Sequence, residues 1–394
     1  VLIRTQLEAI WRAGVAACLP DRVVLPFLPG PPRGRTILLA LGKAAVEMAR
    51  ATERTWEGPL SGIAVAPRPG ALDGIEMVTA AHPVPDARSV AAAERMLALA
   101  DEAGPDDLVL VLLCGGASAL ACLPGEGLSL AGKQGVTEAL LRSGAAIGEI
   151  NCVRRHLSRF KGGRLALAAA PARLVTLAIS DVVGDRPHDI GSGPTAADPT
   201  TLAQAKAVLA RCGIYAPERG WSETPKQVPG DYRIVASGQT AVEAAAAKAA
   251  ALGWRAIVSE CEGEAREIGR AHAEAAMAAA PGTALISGGE LTVTVTGAGR
   301  GGPNQEYALA AAIALRGRAG VAGLAGDTDG VDGNNAAAGA FFDGATAGDG
   351  AEEALARNDS GGFLATREAL FVTGPTGTNV NDLRIILIPR RDAE

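Results

Sequence analysis

The sequence predicts an α/β protein of two domains, and three observations carry that prediction. Short, wholly apolar runs such as Leu108–Leu113 and Leu174–Ile179 have the composition of parallel strands covered on both faces. Glycine-rich turns and Ala-rich helical stretches alternate with such runs along the chain, the rhythm of a doubly wound sheet. At 394 residues the chain is also long for one hydrophobic core.

The elements follow in order. Thr36–Leu41 reads as the first strand and turns at Gly42 into a helix-like Lys43–Arg54. Ile63–Ala66 and Met77–Ala80 are short strands, Ser89–Ala103 is strongly helical, and the two apolar runs supply the buried centre of the sheet. Gly213–Asp231, with Pro217, Pro225 and Pro229, breaks the rhythm and reads as a linker. The first, Rossmann-like domain is therefore placed at residues 1–230 and a smaller α/β domain at 231–394. The rhythm restarts with strand Tyr232–Ala236, helix Ala241–Leu252, strand Arg255–Ser259, helix Ala265–Ala280 and strand Ala284–Ser287. Leu291–Thr296 alternates apolar residues with threonine, so one face is polar and the second sheet should be mixed. Helix Asn304–Leu315, strand Val321–Ala325 and the segments Glu352–Arg357, Leu370–Thr373 and Arg384–Ile388 complete the chain.

Composition narrows the function. A net charge of −6 removes the electrostatic case for nucleic acid, and 3% aromatic residues argue against a base-stacking surface. An anionic substrate must be met by local cations. Six scattered cysteines without a CxxC pair, and four dispersed histidines, disfavour zinc and suit buried thiols in a reducing compartment. No apolar run reaches the roughly 18 residues of a membrane span, and no basic segment with a long apolar stretch opens the chain. The cytoplasm is the expected compartment. A homodimer is admitted, but no sequence feature fixes the oligomeric state.

Several loops concentrate chemistry. Gly326–Gly333 holds three aspartates and three glycines after an apolar run; glycine permits close approach, and aspartates supply hard oxygens for Mg²⁺. The plain alternative is a tight Asp/Gly turn. Lys43 falls at a strand-to-helix turn, where a lysine opposes the helix dipole and suggests a grip on phosphate or carboxylate. Leu108–Leu113 runs into Cys114-Gly115-Gly116-Ala117-Ser118, a strand, glycines and hydroxyl arranged as a phosphate cradle. Gly127–Lys133 resembles a Walker loop but has Gln134 where the Mg²⁺-binding hydroxyl belongs, and it is set aside. Asn151–Arg164 packs six cations, counting His156, into fourteen residues and is the densest local anion site. Ser180–Asp185 offers Asp181 and Asp185 at a strand end; Gly191–Thr195 is a hydroxylated glycine nest. Gly297–Gly302 matches G-x-G-x-x-G with Asp327 downstream, a pattern for nicotinamide dinucleotides, although the strand before it is half polar. No nucleophile–histidine–carboxylate signature stands out. The constellation favours phosphoryl transfer, in which positioning and charge neutralisation dominate.

In this order the loops resemble the class II glycerate 2-kinases, whose C-terminal domain is called MOFRL. The resemblance rests on Leu41–Ala44, His82–Asp86, Gly115–Leu120, Asn151–Leu165, Ser180–Asp185 and Gly191–Thr195. It continues through Ser287–Glu290, Gly299–Glu306, Gly326–Gly339, Asn358–Ser360 and Thr373–Leu383, nearly the whole chain. It implies two α/β domains with the active site in the cleft between them. It also implies ATP-dependent, Mg²⁺-assisted phosphorylation of D-glycerate at the 2-hydroxyl. Lys43 matches the motif lysine implicated in catalysis, and Arg300 and Asp181 join it as candidate catalytic residues. Gly115, Gly116, Ser118, Gly191, Ser192, Gly193, Thr195 and Asn304 are the candidate nucleotide contacts. Asp185, Asp327 and Asp332 are the candidate metal ligands, with the division of labour among the carboxylates left open. The chain departs from the family pattern at Cys114, Pro303, Ala336 and Gly361, where serine, arginine, aspartate and an aromatic residue are usual. A nicotinamide-dependent hydroxypyruvate reductase is the rival enzyme, and a non-catalytic sugar-acid or nucleotide sensor the third alternative.

Overall fold

The computed structural model describes residues 2–390. By internal packing the chain forms two compact units, Pro20–Val235 and a second made of Val1–Leu19 with Ala236–Glu394.

The first unit is built on β1 (Thr36–Leu41), β2 (Leu60–Ala66), β3 (Ile75–Thr79), β4 (Leu108–Leu113), β5 (Arg173–Ile179) and β6 (Asp231–Ala236), in the spatial order β3-β2-β1-β4-β5-β6. Neighbours from β3 to β5 run parallel. β1 and β4 are buried along their whole length, as their unbroken apolar sequences require. Successive strands are laid outward from β1 on one side and from β4 on the other. The order reverses between these two strands, and in open α/β sheets ligands bind where that happens, beyond the carboxyl ends. The loops leaving that point carry Gly42–Lys43 and Cys114–Ser118.

Two features correct the sequence division at residues 230/231. The strand expected to open the second domain, β6, is the edge of the first sheet, because Tyr232 and Ile234 pack against the first core. The opening helix Leu2–Ala17 belongs to the other unit: its buried stripe Leu7, Ile10, Trp11 and Val15 joins Leu324, Leu383 and Ile385 in one core. Trp11 also donates to the Gly326 carbonyl at 3.3 Å.

The second unit contains β7 (Arg255–Glu260), β8 (Gly263–Glu264), β9 (Thr283–Gly288), β10 (Leu291–Thr292), β11 (Ala322–Asp327), β12 (Gly339–Asp343), β13 (Leu370–Phe371) and β14 (Asp382–Ile388). Its main sheet has the order β13-β12-β11-β14-β9-β7, with only β7 and β9 parallel. The sheet is mixed as expected, for a different reason. The strand expected over Leu291–Thr296 is two residues long and pairs with β8 outside the main sheet, and the antiparallel character comes from β11 to β14. Among the described residues no helix is long and apolar enough to cross a membrane.

Candidate active site

At the reversal point of the first sheet three side-chain-bearing loops meet. Lys43 lies in the turn ahead of helix Ala45–Thr55, two residues before its start, not in its first turn as expected. Its N–H donates to the Gly115 carbonyl at 2.8 Å, tying the β1 and β4 loops together. Gly116 takes φ +82, and a Cβ there would lie 3.1 Å from the His82 ring and 3.2 Å from Cγ of Lys43. That conformation favours glycine, and a Cβ would need the His82 or Lys43 side chain to give by a few tenths of an ångström. Cys114, where the family pattern has serine, does a serine's work by accepting the Ala44 N–H at 3.2 Å. Burial pushes its thiol up to about 12; the nearby Asp181 carboxylate adds to that and the Lys43 ammonium opposes it. Asp181 and Lys43 therefore share one neighbourhood at the ends of β5 and β1. Asp185 stands further along the same loop at φ 50, half-buried.

The helix after the β4 loop is only Ala117–Leu120, too short for much dipole, so the cradle rests on its backbone and on Ser118. Ser118 Oγ pairs with Ser192 Oγ at 2.9 Å, and Ser192 reaches Asn151 Oδ1 at 3.3 Å. Gly191, Ser192 and Gly193 all have positive φ. The nest expected there is partly consumed: the Ser192 and Gly193 N–H groups donate to Asp189 and Ile190 carbonyls. Thr195 Oγ1 accepts from buried Thr176 at 2.9 Å. Gly193 and Thr195 are scaffold, while Gly191 and Ser192 press on the Ala117–Ser118 turn.

The basic stretch sorts itself in a way its composition hides. Arg155 is buried and paired with Asp189 at 3.0 Å and Asp198 at 2.9 Å. Burial pushes both carboxyls up, yet hydrogen bonds and charge from their partners, Arg155 among them, leave them below the ordinary carboxylate range. His156 meets Glu223, and Arg159 and Arg164 cap carbonyls. Arg154 differs: among the described residues no carboxylate forms an ion pair with it, and its guanidinium lines a cleft of about 600 Å³. Gly116, Ser118 and His82 line the same cleft, as do Lys133 and Lys161. Lys161 donates to the Ser118 and Ala121 carbonyls at 2.8 and 2.7 Å, and Lys133 to the Leu157 carbonyl at 2.7 Å. Burial lowers their ammonium groups to about 7 and about 8.

The second unit treats its carboxylates otherwise. Asp332 is buried, and its two oxygens accept from the backbone N–H and side-chain amides of both Asn304 and Gln305, at 2.8–3.3 Å. It caps helix Pro303–Ala314, and with both oxygens so occupied it is not the metal ligand the sequence suggested. Asn304, expected at the nucleotide, is wholly buried and bridges Asp332 to Asp382, which it meets at 2.6 Å. Asp382 in turn pairs with buried Arg384 at 3.0 Å. Asp327 ends β11 opposite Asp382 and accepts the Asp329 N–H at 2.9 Å. Arg300 is exposed, its backbone held by Asp359 and Gly361. Among the described residues no three His, Cys, Asp or Glu side chains gather as a metal set.

Comparison with known proteins identifies the family. Residues 6–222 match the domain of unknown function DUF4147, and residues 283–382 the MOFRL family. The D-glycerate 2-kinase of Thermotoga maritima is 42% identical, over 96% of this chain and 97% of its own. The chain belongs to the DUF4147/MOFRL glycerate 2-kinase family. The crystal structure of a glycerate kinase from Thermotoga maritima superposes with a TM-score of 0.88 at 40% identity, covering 98% of this chain and 99% of that one. Another relative, from Agrobacterium vitis, is 45% identical over 98% of this chain and 95% of its own, and bears the name putative hydroxypyruvate reductase.

For this family member the glycine run Gly297–Gly302 is a poor dinucleotide site. Gly297 and Gly299 lie against the backbone of Arg357–Asp359, where a Cβ would come within 2.2–2.5 Å. The helix N-terminus that would hold a pyrophosphate is already filled by Asp332. His82, Lys133, Arg154 and Lys161 were not among the sequence-derived site residues. Arg154 and Lys161 sit in the basic stretch and His82 in a family motif, but nothing in their spacing separates them from structural neighbours. Lys133 had no signal beyond the rejected Walker-like match.

Proposed function

We propose that this protein is a glycerate 2-kinase working in the cytoplasm, transferring the γ-phosphoryl group of ATP to the 2-hydroxyl of D-glycerate. The observation that carries the reading is full-length identity of 42% to a D-glycerate 2-kinase, joined to the meeting of Lys43, Gly116, His82 and Asp181 at the reversal point of the first sheet. In this reading the 2-hydroxyl oxygen attacks the γ-phosphorus, the bond to the bridging oxygen breaks, and ADP departs. Asp181 orients the hydroxyl and takes its proton; Lys43 offsets charge building on the phosphoryl oxygens. Arg300, exposed and in no ion pair with a carboxylate among the described residues, is the second unit's candidate for the carboxylate of the acid. Mg²⁺ suits the residues present, because it commonly takes one or two carboxylates and completes its shell with phosphate and water. Within the first unit Asp185 supplies such an oxygen, and the metal would neutralise the phosphate charge.

The test is ADP release from ATP and Mg²⁺ with and without D-glycerate, beside NADH oxidation with hydroxypyruvate. Release that depends on D-glycerate, with 2-phospho-D-glycerate as product, is expected. NADH oxidation without ADP release would replace this reading by the reductase.

A further inference from the structure

Three regions of the molecule hold polar groups that the proposed chemistry does not use. The buried Asp332–Asn304–Asp382–Arg384 network is closed on itself, every charge having a partner. The hollow beside Arg186, Asp189 and Arg211 has its cations paired with Asp189 and Glu149. The cleft of the first unit is different: its cations outnumber its carboxylates.

Three cations, Lys133, Arg154 and Lys161, line that cleft. The one carboxylate on its wall, Glu138, is already bound to Arg142 at 2.6 Å. In a protein of net charge −6, a concentration of unpaired positive charge within a recess is costly without an anion to receive. Each lysine has used two or fewer of its three donors on backbone carbonyls. Ser118 adds a hydroxyl at the same end, next to Gly116. His82, Gln134 and Thr137 add polar groups, and the remainder of the wall is largely apolar. Pro83 and Pro85 form part of it, and Val84 and Leu141 stand on it 61% and 58% exposed. Large aliphatic groups left in water beside a recess mark a surface awaiting a flat or apolar partner.

We propose that this cleft is the nucleotide site, with the polyphosphate against Arg154, Lys133, Lys161 and Ser118 and the purine ring against Val84 and Leu141. The proposal rests on the kinase reading and deepens it by placing the phosphoryl donor wholly within the first unit. A recess of about 600 Å³ suits a nucleoside triphosphate; D-glycerate, a small acid with no ring, would leave the apolar wall bare. The γ-phosphate end then lies toward Gly116, whose neighbours are His82 and Lys43. Arg154, able to hold two phosphate oxygens at once, is the principal anchor. The lowered ammonium values of Lys133 and Lys161 accord with cations that an arriving polyanion would stabilise.

The experiment measures ATP binding directly, by equilibrium dialysis with Mg²⁺, and the KM values of ATP and D-glycerate, in wild type, Arg154→Met and Leu141→Asp. Leu141 is exposed, so its variant folds even if the partly buried Arg154 variant does not. Each substitution should weaken ATP binding about tenfold to a hundredfold, the size of a lost charge-assisted contact, and leave the D-glycerate KM within about twofold. ATP binding unchanged in both folded variants would overturn the site while leaving the kinase reading intact. A rise confined to the D-glycerate KM would assign the cleft to the acid instead. Wild-type protein that binds no ATP would remove both the site and the reading beneath it.

Discussion

At the carboxyl ends of β1 and β4, cations face a recess with few carboxylates, and glycine holds the backbone open beside Lys43 and His82. At the carboxyl end of β11 an equally polar set of loops has turned inward: Asp332 accepts four N–H donors, and Asp382 is held by Asn304 and Arg384. The sequences look alike, since both are rich in Asp, Gly, Ser and Asn at strand ends. What separates them is the fate of each polar atom. Groups satisfied within the fold make scaffold; charges left without a counter-charge beside a cavity mark a place for a ligand.

The sharpest form of that contrast is two adjacent residues. Arg155 has two buried carboxylate partners and Arg154 none among the described residues. Removing Arg155 as Arg155→Met leaves buried Asp198 without its arginine and Asp189 with Arg186 as its remaining arginine, which should cost about 3–5 kcal/mol in chemical denaturation, with the ATP KM of the folded fraction unmoved. If Arg155→Met instead raised the ATP KM with stability intact, the division between scaffold and site would fail. A smaller effect is expected at Gly116. Gly116→Ala forces a side chain into φ +82 against His82 and Lys43, whereas Gly213→Ala imposes φ +67 in open space. Both should lose about 1–2 kcal/mol of stability from the backbone, but only Gly116→Ala should also lower kcat. Equal kcat in the two would show that the close approach at Gly116 has no catalytic use.

The smallest effect concerns pH. Burial raises the Asp332 carboxyl to about 7, the Asp382 charge adding to it and the Asn304 and Gln305 N–H groups opposing it. A raised acid holds its proton more tightly folded than unfolded, so its contribution is full below about pH 4 and is lost as pH rises through 7. Melting temperature followed from pH 5 to 8 should carry a downward component that Asp332→Asn removes. An identical profile in the variant would mean that Asp332 is ionised throughout.

Much of this was legible from the amino acids alone. β1, β4 and β5 announce themselves because strands buried on both faces must be apolar throughout, and the loops after them were located for the same reason. β12 was not found: Gly339–Asp343 lies in an Ala- and Gly-rich stretch whose strand character comes from pairing with β11 and β13. The opening helix shows its apolar stripe, but not that the stripe packs beneath β11 and β14, because its partners lie some three hundred residues away in sequence. The basic stretch could not be sorted into Arg154 and Arg155, nor Asp332 seen as a helix cap, for one reason: hydrogen-bond satisfaction is a property of the folded neighbourhood and leaves no trace in spacing.

The account depends most on Lys43, which stands with Gly116 and His82 at the reversal point of the first sheet. The decisive measurement is kcat for D-glycerate-dependent ADP release by Lys43→Ala, with its thermal melt recorded alongside. A loss of about 10²–10³-fold in kcat with a wild-type melt is the predicted result. A kcat within about threefold of wild type in the folded variant would contradict it and move the chemistry away from the first sheet.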